Sequence, residues 1–241
     1  MDHKKNIYTG LSSVISQLSG HLFLENVKME KQRTNLSYNK IIPKLLLNPK
    51  NYLNGFYPYG IIQSFGKGYI VSSTKLFLQP KLKYSNNINH LIIGFSTGIT
   101  EACFLSPLLA IRNQLNQNLF EKKNNKIILQ PKIIFNGINA LIIKRSLDWS
   151  SRYIIIEQVN KYSPINNIIF NTFLGSGLST IISTPADRLL PLIYSNQSIL
   201  NKIKEQKLTF FYKGFIFRFL STGYYTTCLF ILPNFIQQLH I

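Results

Sequence analysis

The chain has 241 residues, 45% of them hydrophobic, with 27 Lys and Arg against 9 Asp and Glu and a net charge of +18. Two cysteines without a CxxC pair exclude a disulfide scaffold, and a mean hydropathy of +0.05 does not by itself mark a membrane protein. The charge first suggests a nucleic-acid binder, a class that needs bases interleaved with aromatics on one exposed face.

Six stretches of helical length follow one another, at about 7–27, 55–79, 90–111, 138–160, 167–190 and 214–241. Hydrocarbon about 30 Å thick takes roughly 20 apolar residues of helix. The third stretch holds one charge, Glu101, and the sixth one strong charge, Arg218. The other four carry more Ser, Thr, Gln and Gly, which suits helices with one face on lipid and one on a polar interior. Met1 to Asn6 is too short and polar for a cleavable signal, so targeting is expected to be internal. Cys103 and Cys228 fall inside apolar stretches and read as small core residues.

Between the stretches the bases alternate. Lys31, Arg33, Lys40, Lys44 and Lys50 follow the first, Lys122, Lys123, Lys126 and Lys132 the third, and Lys202, Lys204 and Lys207 the fifth. The other connections hold Lys81 and Lys83, then Lys161. Abundant lysine would explain the total but not the alternation, which the positive-inside rule does explain. Bases in loops, not on a shared aromatic face, speak against nucleic acid.

Three eroded copies of one element end the odd stretches: Phe23-Leu24-Glu25-Asn26-Val27-Lys28, Pro107-Leu108-Leu109-Ala110-Ile111-Arg112 and Pro185-Ala186-Asp187-Arg188-Leu189-Leu190. Glu25, Leu109 and Asp187 are separated by 84 and 78 residues, and Gly55, Gly137 and Gly214 by 82 and 77. Two landmarks with nearly one step make a threefold repeat, over 7–80, 88–163 and 166–241 within a single domain, 1–241. Pro107 and Pro185 each remove a backbone donor and predict a helix kink. Phe23 stands at the equivalent place in the first copy. The Gly94-xxx-Gly98 pair predicts close approach of a neighbouring helix; its counterparts are Gly10 with Val14 and Thr172 with Ser176.

These residues resemble the mitochondrial carrier family, whose odd helices end in Pro-x-[Asp/Glu]-x-x-[Lys/Arg] and whose even helices open after an aromatic-x-Gly, as Tyr212-Lys213-Gly214-Phe215 does. The stretch Gly94 to Ala102, with Pro107 and Arg112, looks like the third helix of citrate and oxodicarboxylate carriers, and Lys144 to Tyr153 resembles the fourth helix of the citrate carrier. The resemblance covers almost the whole chain. It implies an all-α membrane protein with six transmembrane helices in three pseudo-symmetric two-helix repeats, the mitochondrial carrier fold, lying as a monomer in the mitochondrial inner membrane, or that of a mitochondrion-related organelle, with both termini on the intermembrane side.

It also implies a matrix gate in which Glu25 faces Arg112, Leu109 faces Leu190 and Asp187 faces Lys28. The paired loss of charge at Leu109 and Leu190 is informative, because removing one partner of a buried ion pair is costly whereas an apolar replacement of both can be neutral. The second family network, at the opposite end of the even helices, survives in part as Ile156-Glu157 with Asn160 and Lys161, against Thr74-Lys75 and Pro233 to Gln237. With few ion pairs, that end is expected to close weakly.

Substrate contacts are expected from Lys67 on the second helix, Lys144, Arg145 and Arg152 on the fourth, and Arg218 and Ser221 on the sixth. Arg152 lies seven residues beyond Arg145 on one helix face, and Asp148 between them is placed to neutralise one of the two arginines. Guanidinium matches carboxylate in a two-pronged fork, pointing to a small anionic substrate, a carboxylate. Trp149 and the Tyr224-Tyr225 pair read as packing or membrane-interface aromatics.

The four histidines, at 3, 21, 90 and 240, are scattered, and neither a metal-ligand cluster nor a phosphate loop is present in the sequence. No enzyme activity, metal or cofactor is expected. The expected function is transport of a small anion by alternating access. The competing expectation is a carrier-fold membrane adaptor that no longer transports, which the loss of proline at Phe23, the Leu109/Leu190 pair and the weak outer network favour.

Overall fold

A computed structural model describes residues 3–33, 36–47, 56–121, 138–194 and 209–239, with helix and no strand among them. The first rod is α1 (His3–Ser16), a π-turn (Gln17–His21) and α2 (Leu22–Arg33). A short α3 (Tyr38–Leu47) follows, then a π-turn (Phe56–Gly60) leading into α4 (Ile61–Leu78) and α5 (Asn86–Glu121). α6 (Ile138–Tyr162), α7 (Ile168–Tyr194), the single turn α8 (Thr209–Tyr212) and α9 (Phe215–Leu239) complete the chain.

The long helices touch in chain order: α1 meets α4, α4 meets α5, α5 meets α6, α6 meets α7 and α7 meets α9. α9 then returns to both α1 and α2, which closes the circuit. Helices run beyond the expected windows, α5 reaching Glu121, because the windows count apolar residues while polar residues of good helix propensity continue the backbone ladder. Asn167 caps α7, its Oδ1 accepting from the Ile169 and Phe170 amides at 3.0 and 3.1 Å. At Gly214 the backbone adopts φ 84, a left-handed value that favours glycine, and this turn separates α8 from α9. Gly55 and Gly137, its expected equivalents, lie outside the described residues.

The prolines sit inside their helices, Pro107 in α5 and Pro185 in α7. Each deprives the carbonyl four residues back of its amide, and a hydroxyl takes that place: Ser106 donates to the Cys103 carbonyl at 3.5 Å and Tyr212 to the Ile181 carbonyl at 3.4 Å. The first rod, without a proline, is interrupted instead in its π-turn, where Gly20 leaves helical dihedrals. An extra residue wound into a helix bends it as a missing amide does.

The side chains are distributed in reverse of a water-soluble core. Ile7, Leu11 and Ile15 of α1 with Leu18 of the π-turn that follows, and Ile88, Leu91, Phe95 and Ile99 of α5, form exposed stripes at helical spacing. The opposite faces bury Asn6, Thr9, Ser12, Ser13 and Ser16 in α1, and Thr97 and Glu101 in α5. Among the described residues, buried polar side chains outnumber buried apolar ones. Among the described residues, two helices are by length and composition apolar enough to cross a membrane, Asn86–Leu108 within α5 and Phe215–Leu239. The polar interior faces of the others lower their hydropathy.

Cys103 departs from its expected core position. It is exposed, and Cys228 is half-buried. Apolar sequence around a residue signals the core only where the outside is water, and here the outward face is itself apolar.

α5 and α6 meet with their backbones in contact. A Cβ at Gly94 would lie 2.5 Å from the Ser150 Cα and N, and one at Gly98 would collide with the Ser146 N and Cα. Ser146 and Ser150 make the facing small-xxx-small pair, and their hydroxyls donate across the seam to the Phe95 and Leu91 carbonyls at 3.3 and 3.2 Å. At the matching places, Gly10 packs on the Phe65 ring and Thr172 and Ser176 are buried; α7 approaches α6 instead through Gly175, whose Cβ would meet the Ile156 Cα at 2.8 Å.

Candidate functional site

The closed circuit of helices surrounds charged side chains. α6 supplies Lys144, Arg145, Asp148, Trp149 and Arg152, whose spacing sets them on one broad inward face. α2 adds Glu25 and Lys28, α4 Lys67, α5 Glu101, α7 Asp187 and α9 Arg218 and Ser221.

Asp187 is the hub at one end. Its carboxylate pairs with Lys28 at 3.2 Å, and also with Lys144 and Arg218, so three elements converge on one acid of a fourth. Arg218 Nη2 further contacts Asp148 at 2.8 Å and donates to the Ser183 hydroxyl at 2.9 Å. Asp148 therefore faces an arginine seventy residues away, rather than its helix neighbours Arg145 and Arg152. The reason is geometric: Arg218 enters from α9 at the depth of Asp148, while Arg145 turns to α5 and pairs with Glu101 at 3.3 Å.

Glu25 and Lys28 pair at 2.8 Å within α2. Glu25 also accepts from the Ser221 hydroxyl at 2.9 Å. The same hydroxyl lies 2.9 Å from His21 Nδ1, which is 3.0 Å from the Ser221 carbonyl. Because the Ser221 proton goes to the carboxylate, Nδ1 carries the proton and donates to both oxygens. The gate expected from Glu25 and Arg112, and from Leu109 and Leu190, involves side chains outside the described residues; of the three expected pairs, Lys28 with Asp187 lies within them.

Glu101 is 2% exposed and accepts from Trp149 Nε1 at 2.5 Å as well as pairing with Arg145. Sequence reasoning counted it as a span charge without giving it a role. The signal was present, since a lone carboxylate in an apolar stretch is costly unless it is paired. His21 likewise read as one of four scattered histidines, and only the fold brings it to Ser221.

Lys67 and Arg152 differ from the cations paired with Asp187, Asp148, Glu101 and Glu25. Lys67 Nζ stands 4.2 Å from the centre of the Tyr225 ring and 5.8 Å from that of Trp149, and the Arg152 guanidinium carbon is 4.3 Å from the Trp149 ring centre. Among the described residues neither makes an ion pair, and Arg152 Nε and Nη1 are buried without a hydrogen-bond partner. Trp149 and Tyr225 are fully buried, so of the two expectations for them packing holds, and their rings also face cations.

The opposite end is filled by an apolar cluster of Val71, Ile93, Trp149, Tyr153, Tyr225 and Leu229, with Leu78, Leu82 and Phe230 packed against it. Lys75 lies over the Phe230 and Tyr153 rings at 5.5 and 5.9 Å, and His90 stands 3.5 Å from Glu157. Contacts between rings dominate this end, where few ion pairs were expected.

Apart from Lys75 and Glu157 at the ring cluster, the described interior holds six cations (Lys28, Lys67, Lys144, Arg145, Arg152 and Arg218) against four carboxylates (Glu25, Glu101, Asp148 and Asp187). Of these six, Lys67 and Arg152 are the two without a carboxylate at ion-pair distance. Comparison with known protein families gives no match, and comparison with curated proteins gives none either.

Proposed function

We propose that the chain is a membrane-embedded transporter of the mitochondrial carrier type, with six spans in three two-helix repeats, which moves a small anion, a carboxylate, across the mitochondrial inner membrane. The observation that carries this reading is a net-positive, ion-paired interior inside a closed circuit of helices whose outward faces are apolar. Buried charge of this kind is costly, and in membrane proteins it marks a substrate or ion path.

Access alternates by exchanging which end is closed. Pairs centred on Asp187 tie α2, α6, α7 and α9 together at one end, and the ring cluster joins α4, α5, α6 and α9 at the other. An incoming carboxylate competes with Glu101 and Asp148 for Arg145 and Arg218, loosening links between helices while keeping the guanidinium groups neutralised. The cost of that exchange stays low, because Arg145 and Arg218 keep an acid partner throughout.

Uptake of labelled di- and tricarboxylates, nucleotides and phosphate into proteoliposomes tests the proposal. Wild type is expected to exchange at least one carboxylate, and Arg145→Ala of unchanged elution profile is expected to lose that exchange. Silence of folded wild type across the whole panel would replace transport by the adaptor reading. Embedding is tested separately at Cys103. A spin label there, in a Cys228→Ala background, is expected to collide more with oxygen than with a water-soluble nickel chelate, and the reverse order would place the apolar outer face in water.

A further inference from the structure

We infer that Lys67 and Arg152, carried on the Trp149 and Tyr225 rings, form the charge-reading part of the site and select a dianion whose negative charges sit on oxygen. The inference rests on reading the chain as an anion carrier and names which of its six interior cations read the ligand.

The other four cations are occupied. Lys28, Lys144 and Arg218 share Asp187, Arg218 also takes Asp148, and Arg145 takes Glu101. Arg152 is 6% exposed, with Nε and Nη1 unpartnered. A buried guanidinium with idle donors is a costly arrangement unless something supplies acceptors. Ring faces offset part of that cost by attracting cations without using up their N–H groups, so the donors stay available to a ligand.

Number and position then set the ligand's charge. Both cations stand beside the same indole, Arg152 at 4.3 Å and Lys67 at 5.8 Å from its centre, and the proposed ligand would bridge them at that ring. A monoanion would neutralise one and leave the other bare; a dianion satisfies both. The Arg152 fork offers paired donors to a carboxylate or phosphate, and Lys67 a single point of charge. Specificity follows from what each wrong ligand leaves unpaired. The indole is itself fixed from behind, because its N–H donates to Glu101 at 2.5 Å.

Trp149 is the single tryptophan of the chain, so its emission reports this place alone. Purified full-length protein in lipid nanodiscs is titrated with succinate, inorganic phosphate, acetate and chloride. Expected is a saturable change in Trp149 emission with succinate, phosphate or both, and none with acetate or chloride. The two dianions distinguish a pair of separated carboxylates from one compact phosphate. Arg152→Gln is expected to weaken the apparent affinity about tenfold to a hundredfold, as loss of a charge-assisted contact does, and Lys67→Met to do the same. The distant surface variant Lys44→Met is expected to match wild type. If Arg152→Gln does not fold, Lys67→Met decides. Equal response to acetate and succinate, or dianion affinity unchanged in the decisive variant, overturns the inference. A saturable, variant-sensitive response in a protein that transports nothing keeps this site and rejects the transport reading. Uptake that survives both substitutions keeps transport and rejects the site.

Discussion

Replacing Asp187 with asparagine is expected to destabilise the protein more than any other single substitution among the interior charges. Lys28, Lys144 and Arg218 all point to this carboxylate, whose side chain is 8% exposed. Asparagine keeps the shape and one acceptor but removes the charge, leaving three cations that repel one another where solvent cannot screen them. Breaking a buried pair by removing one partner costs about 3–5 kcal/mol; for a chain of this size that corresponds to a fall in Tm on the order of 10 °C. Arg218 would retain Asp148, and Lys28 would retain Glu25, which limits the damage to this range. Thermal unfolding in detergent measures it. A Tm for Asp187→Asn within about two degrees of wild type would mean that the hub contributes little, since even 1 kcal/mol shifts Tm by about 2–4 °C in a protein of this length. Asp187→Glu, which keeps the charge and lengthens the arm, is expected to fall between the two.

Gly98→Val is expected to separate α5 from α6. The new Cβ would strike the Ser146 backbone, which cannot move aside as the end of a side chain can. Overpacking costs about 1–3 kcal/mol where side chains adjust, and a backbone contact lies at or beyond the upper end. Parting the seam would also lose the Ser146 and Ser150 bonds to the Phe95 and Leu91 carbonyls and pull Glu101 from Arg145 and Trp149. The expected result is loss of the monodisperse species on size exclusion. Gly66→Ala serves as the comparison: its Cβ would meet the Leu105 Cδ2 at 3.1 Å, the end of a side chain that can rotate. Equal behaviour of the two variants would show that the α5–α6 approach is looser than the distances indicate.

Much of the architecture was legible in the chain because it depends on local chemistry. Gly214 marks the turn into α9, since only glycine takes a left-handed φ without strain. Gly94 and Gly98 announce a close neighbour, and the lone Arg218 and Glu101 in apolar stretches announce inward faces. Cys103 was misread for the opposite reason: its setting looked like core because apolar neighbours carry no information about which side of a helix is outside. The interruption of the first rod was visible only as a missing proline at Phe23, whereas the backbone breaks at Gly20.

What the sequence by itself determined is the inventory: helices with one polar face, their order, the punctuation between them, and an interior rich in bases. Which base meets which acid was decided by the tertiary structure alone. One residue along a helix shifts a side chain by about 1.5 Å and 100°, and buried charges interact strongly only over a few ångströms. Small differences in helix depth and rotation therefore gave Asp148 to Arg218, Arg145 to Glu101 and Ser221 to Glu25, and left Lys67 and Arg152 on aromatic rings.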